Sequence, residues 1–166
     1  PSGQNFEYRF FVPKNMKSGD YTLGVSVSDS YGNTGTDDFI LTVKQIPTKI
    51  VNDMSKTSYN PGDTLSFEVD LFDQSDKSMS ASVSVKITDP SGATLYNGVV
   101  NTGQQIELEF GKYSTPGTYV ITSTYSAKNL EDTDRVTVAS VSGVSSSLDG
   151  EKITIVNEGN VPYDDR

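Results

Sequence analysis

The sequence predicts an all-β protein built of antiparallel β-sandwich modules in tandem, one complete and two partial. The first observation behind this is alternation. Apolar residues recur at every second position, as in Leu65, Phe67, Val69 and Leu71, and the runs are separated by Gly, Pro, Asn and Asp. That is the pattern of strands with one buried face, and no helical 3.6-residue period competes with it. The second observation is an internal repeat. Phe6, Tyr8 and Phe10, then Gly19, Tyr21 and Leu23, then Leu41 and Val43 return as Ile106, Leu108 and Phe110, then Gly117, Tyr119 and Ile121, then Val136 and Val138. Phe10 and Phe110, Gly19 and Gly117, Val43 and Val138 stand 100, 98 and 95 positions apart, so the copies differ in loop length. A period of about a hundred residues matches one sandwich module.

Residues 1–46 read as the last three strands of a module, over about 5–12, 20–29 and 36–45. Asp29-Ser30-Tyr31-Gly32-Asn33 supplies the hairpin link, since Gly and Asn accept positive φ. So few strands bury too little surface to offset chain entropy alone, and the piece is expected to lean on another. Ile46 and Pro47 form a joint, because proline lacks the amide donor a ladder needs.

Residues 47–139 read as a complete sandwich of seven to eight strands, near 48–52, 55–59, 64–73, 81–89, 93–100, 104–110, 118–127 and 131–139. Pro61-Gly62-Asp63 and Asp89-Pro90-Ser91-Gly92 are turns between them. The expected core rows are Leu65, Phe67, Val69, Leu71, Val83, Val85, Ile87, Leu108, Tyr119, Ile121 and Val136. At about 3.3 Å per residue, such a domain is a spacer of roughly 30–40 Å. Residues 140–166 open a further module with one hairpin, Val144 to Leu148 and Lys152 to Val156 flanking Asp149-Gly150. Asn157-Glu158-Gly159-Asn160 then turns toward Val161-Pro162-Tyr163.

Composition removes several chemistries. The chain has neither Cys nor His, which eliminates thiolate and imidazole nucleophiles, bases and zinc ligands. Its 22 acidic against 13 basic residues give a net charge of −9, which repels nucleic-acid phosphates and anionic lipid headgroups. No run of about 18 apolar residues exists to span a membrane. Starting at Pro1, the chain is expected to be a segment excised from a longer one, with targeting signals outside it.

Several residues invite a chemical role. Asp29, Asn33, Asp37 and Asp38 lie on or beside one hairpin tip, and hard oxygen ligands there form a candidate calcium site, against the plainer reading of turn and solvent residues. Asp73, Asp76 and Lys77 occupy a sandwich-end loop, where binding modules place contacts. Glu107 and Glu109 share a strand face as a carboxylate pair would, but beside Ile106, Leu108 and Phe110 they read as the solvent face. Ser145, Ser146 and Ser147 have only Lys152 nearby as a base, and an exposed hairpin does not lower a lysine pKa. Tyr21 and Tyr119 each stand two residues after a Gly at a strand head, the place of a tyrosine corner, with sugar stacking as the alternative.

At these residues the chain resembles immunoglobulin-like modules of prokaryotic surface proteins. Ser58-Tyr59-Asn60-Pro61-Gly62-Asp63-Thr64-Leu65-Ser66-Phe67, with Thr88 to Gly92 later, resembles the macroglobulin-type module of bacterial and archaeal secreted proteins. The run Gly19 to Val43 is similar to bacterial Ig-like and cadherin-like repeats, and Ile155 to Tyr163 resembles the start of adhesion-related Ig-like domains. The resemblance implies an extracellular or cell-surface location and a place in a multidomain rod; it transfers no catalytic residue and no thioester.

The expectation is a structural spacer without enzymatic activity or cofactor, with an adhesion role as an extension. Its partners are the neighbouring modules of the same chain, together with self-association through exposed strand edges. The alternatives are a protein- or glycan-binding module using loops 73–80, 111–117 and 127–131, and an accessory domain of a secreted enzyme such as a peptidase or transglutaminase-like protein.

Overall fold

The computed structural model describes residues 7–162. Among these residues thirteen strands account for the regular structure, with one 3₁₀ turn at Ser126–Lys128. The N-terminal piece is a hairpin of β1 (Gly19–Ser28) and β2 (Thr34–Val43), paired antiparallel from Gly19↔Val43 to Ser28↔Thr34.

The central sandwich follows. One of its sheets holds β3 (Pro47–Met54), β5 (Thr64–Asp73), β6 (Ser78–Met79) and β9 (Ile106–Glu109), with β5 pairing the other three. The other has the order β4 (Ser58–Tyr59), β11 (Leu130–Val138), β10 (Gly117–Tyr125), β7 (Ser82–Thr88) and β8 (Thr94–Asn101). Every pairing is antiparallel except β4 on β11. Lettered as in immunoglobulin-type sandwiches, β3, β5 and β9 are strands A, B and E, and β7, β10 and β11 are C, F and G. Pro47 sits at the first position of β3, with a register shift before Lys49, so its missing N–H costs the ladder little. The last hairpin pairs β12 (Val144–Asp149) with β13 (Lys152–Asn157).

Leu65, Phe67, Val69 and Leu71 of β5, Val83, Val85 and Ile87 of β7, Tyr119 and Ile121 of β10, and Val136 and Val138 of β11 meet in one core. Tyr59, Phe110 and Tyr119 stack edge-on at its end, with ring centroids 5.3 and 5.0 Å apart. Leu108, on the short strand β9, is only half-buried. A polar seam crosses the same interior. Ser123 Oγ donates to Asn52 Oδ1, while Asn52 N and Nδ2 donate to Asp132 Oδ2 (2.8 Å) and Asp134 Oδ2 (3.0 Å). Asn52 and Ser123 are buried, and this bonding leaves no side-chain polar atom orphaned.

The first strand expected from the sequence does not form: residues 7–12 are irregular, and Phe6 lies outside the described residues. The strand's copy, β9, obtains its ladder from β5, through Thr64↔Glu109 to Phe67↔Ile106. No counterpart of β5 lies beside residues 7–12 among the described residues, so alternation there has no ladder to join. The N-terminal piece therefore shows two strands, where the sequence suggests three. Tyr163 also lies outside the described residues. Among the described residues no helix is long and apolar enough to cross a membrane.

Candidate interaction surfaces

The β1–β2 and β10–β11 hairpins are built alike. Gly19 and Gly117 open them with φ of 145° and 129°, a region where a side chain is strained. Tyr21 Oη then donates to the Lys17 carbonyl at 2.9 Å, and Tyr119 Oη to the Thr115 carbonyl at 2.8 Å. The preceding turns match too, with Met16 N–H bonding Pro13 O and Ser114 N–H bonding Gly111 O. Environment separates the two phenols: Tyr119 is buried, and its burial raises its pKa, while Tyr21 is half-buried.

The register of β1–β2 puts Tyr21, Leu23, Val25, Val27, Phe39, Leu41 and Val43 on one face. In β10–β11 the corresponding face is covered by β3 and β5; in β1–β2 it is open, with Val25 44% and Phe39 55% exposed. Tyr8 and Phe10 cross it, and with Leu23, Gly24, Val25 and Phe39 they line an apolar cleft of about 550 Å³. The β12–β13 hairpin likewise has one apolar face, of Val144, Leu148, Ile153 and Ile155, all exposed. These two apolar faces lie outside the central core.

Polar side chains tie each hairpin to the sandwich. At the first joint Gln74 Nε2 donates to the carbonyls of Met16 and Lys44, and Gln74 Oε1 accepts from Ile46 N. Asp73 closes the turn beneath it: Oδ1 accepts from Ser75 N, Ser75 Oγ and Lys77 N, and Oδ2 from Gln45 Nε2. Burial pushes the Asp73 carboxyl pKa up, yet the Ser75, Lys77 and Gln45 donors outweigh it and hold the group at about 2. At the second joint Asn160 Nδ2 donates to the Ser114 and Ala139 carbonyls, and Oδ1 accepts from Val141 N. Lys112 and Glu158 form an ion pair across it. A Cβ on Gly159 would lie 2.1 Å from the Val141 carbonyl oxygen, so the joint closes only around a glycine.

The other residues singled out in the sequence serve turns or strands. Asp29 Oδ1 accepts the N–H groups of Tyr31 and Asn33, and Oδ2 accepts Asn33 Nδ2. The Asn33 side chain leads in holding the Asp29 carboxyl below its usual range. Asp37 and Asp38 stand on β2 opposite Val25 and Gly24, away from the tip and on alternate faces. The calcium cradle suggested by Asp29, Asn33, Asp37 and Asp38 is therefore not assembled. No group of three or more Asp and Glu side chains placed to hold a metal ion occurs among the described residues. Asp73 is buried, where the sequence suggests an open loop; Asp76 takes a positive φ of 59° beside it, followed by Lys77. Glu107 and Glu109 are exposed on β9. Lys152 pairs with Asp149 across β12–β13, and Ser145 Oγ donates to Glu158. The Asn52–Ser123–Asp132–Asp134 seam is absent from the sequence reading, although its sign was present: Asp132 and Asp134 occupy the apolar phase of Val136 and Val138.

No protein-family model and no curated protein sequence matches the chain. Among solved structures, dimeric latent PorU from Porphyromonas gingivalis is similar at 19% identity and TM-score 0.38, over 75% of this chain and 12% of that one. The amphioxus IgVJ-C2 molecule is similar at 17% identity and TM-score 0.33, over 72% of this chain and 59% of that one. The CARDB domain of a Pyrococcus furiosus protein, solved in complex with di-metal ions, gives 17% identity and TM-score 0.36, over 68% and 99%. The chain thus spans less than two thirds of PorU and of the amphioxus molecule. With TM-scores below 0.5, none of these likenesses bears on what this chain does.

Proposed function

We propose that this chain is a spacer from an exported, surface-exposed protein, made of Ig-like modules that follow one another head to tail. The observation that carries this reading is the duplicated hairpin: Gly19 and Gly117, Tyr21 and Tyr119 with the same phenol bond, and the same ladder. Modules copied along a chain, each contacting its neighbours, are how extended stalks are built. The macroglobulin-like and adhesion-related motifs at Ser58–Phe67 and Ile155–Tyr163 support the extracellular location. Glycan and protein arrays probed with the chain, alongside small-angle scattering, test the proposal. A spacer gives an elongated particle and no saturable ligand; a specific ligand competing at loops 73–80, 111–117 or 127–131 makes the chain a binding module.

A second reading is favoured by the two bare faces. β12–β13 stands to a further module as β3–β5 stands to the central one, and β3–β5 is what covers the face of β10–β11. Self-association follows this pattern, with the C-terminal hairpin of one copy laid on the β1–β2 face of the next.

A further inference from the structure

Both joints are closed by a side-chain carboxamide, and both carboxamides address the same three backbone groups. Gln74 Nε2 donates to Met16 O at 3.1 Å and Lys44 O at 3.0 Å, while its Oε1 accepts from Ile46 N at 2.7 Å. Asn160 Nδ2 donates to Ser114 O and Ala139 O, each at 2.9 Å, while its Oδ1 accepts from Val141 N at 2.7 Å. Met16 and Ser114 are 98 positions apart; Lys44 and Ala139, like Ile46 and Val141, are 95 apart. Those are the separations of Tyr21 from Tyr119 and of Val43 from Val138. The receiving groups are thus the same place in two hairpins.

The side chains that fill this place are not the same position. Asp73 and Asn157 each end a second strand, and each accepts a bond from the N–H two residues on, at Ser75 and at Gly159. Gln74 is the first residue of its turn and Asn160 the third of the other, and they differ by a methylene. Two turns of different build therefore deliver one functional group to one receptor. The chemistry explains the choice: a carboxamide is neutral and offers two donors and an acceptor in one plane. A carboxylate would face two carbonyl oxygens with no donor, and an ammonium has no acceptor for the third group.

We infer that docking between successive modules is specified by this carboxamide pin. The end of each F–G hairpin is a receptor of two carbonyls and one N–H, and its partner is a sandwich module carrying Asn or Gln in the turn after its second strand. The inference rests on the tandem-module reading and names what one module recognises in the next.

Amide hydrogen exchange on the whole chain, read by NMR at Ile46, Val141 and Ile121, tests it. Gln74→Glu and Asn160→Asp keep shape and acceptor while removing both donors; Gln74→Ala and Asn160→Ala remove all three bonds. Loss of the pin should raise exchange at the amide of the altered joint roughly tenfold or more, with the other joint and core Ile121 unchanged. Exchange at Ile46 and Val141 that stays at the wild-type rate in the alanine variants, or rises only in step with Ile121, overturns the pin. That result leaves the spacer proposal standing, since it rests on the hairpins; a ligand found on the arrays removes the spacer proposal and leaves the pin.

Discussion

Tyr21 and Tyr119 make the same hydrogen bond, each phenol reaching the carbonyl four residues before it, but only the Tyr119 bond lies beneath a covered core. Identical local geometry therefore has unequal energetic weight. Tyr119→Phe should cost about 1–2 kcal/mol, because it removes the hydrogen bond made by a buried phenol. Tyr21→Phe should cost less than about 0.5 kcal/mol, since water replaces the phenol. Urea denaturation of the two variants, followed by tyrosine fluorescence, reads the difference.

Phe67 packs between the sheets and is 3% exposed. Phe67→Ala should destabilise the sandwich by roughly 3–5 kcal/mol through lost burial and the cavity left behind. A melting midpoint equal to that of the wild type would contradict its place in the core.

Asp73 gives the first joint a pH dependence. Its carboxyl is held at about 2 in the fold, below the roughly 3.9 of an unfolded aspartate. A depressed pKa contributes stability that is present above about pH 4 and lost as pH falls through about 2. Unfolding midpoints measured from pH 5 to pH 2 should fall less steeply in Asp73→Asn than in the wild type. Parallel slopes would mean that Asp73 is not the group titrating there.

Gly159 approaches the Val141 carbonyl too closely for any side chain. Gly159→Ala should release the C-terminal hairpin, raising protease cleavage near residues 140–143, while the thermal midpoint of the sandwich holds. Cleavage at the wild-type rate would show that the joint relaxes around a methyl group.

The bare faces predict concentration-dependent association. Light scattering should show the chain moving from monomer to dimer or longer species as concentration rises, and Leu23→Lys combined with Ile155→Lys should hold it monomeric. A wild-type chain that stays monomeric at millimolar concentration would rule out pairing between copies.

Alternation carried most of the fold. β5, β7 and β10 were legible because each alternates inward apolar or aromatic residues with mostly polar neighbours, and one end of each falls on a Gly or Pro turn. Residues 7–12 show where this fails: Tyr8 and Phe10 have the right period, but a strand is a property of a pair, and a sequence does not state its partner. Asp73 misled in the opposite direction. An acidic residue after a strand reads as solvent-facing, and only the donors that converge on it from Ser75, Lys77 and Gln45 offset its burial. The carboxamide pins were invisible for a further reason. Gln74 and Asn160 sit at different steps of unlike turns, so no spacing aligns them; only their shared targets do.

The seam through Asn52 also bears on how neighbouring modules avoid exchanging strands as they fold. Asp132 and Asp134, which Asn52 engages, correspond in the ladders to Asp37 and Phe39 of the other hairpin. Were β3 to settle on β1–β2 instead, the Asn52 amide would meet a phenyl ring in place of the Asp134 carboxylate and go unsatisfied. Look-alike repeats strung on one polypeptide invite such misassembly. Two mismatched positions, Val25 where Ser123 stands and Phe39 where Asp134 stands, let β3 tell its own sandwich from the hairpin next door.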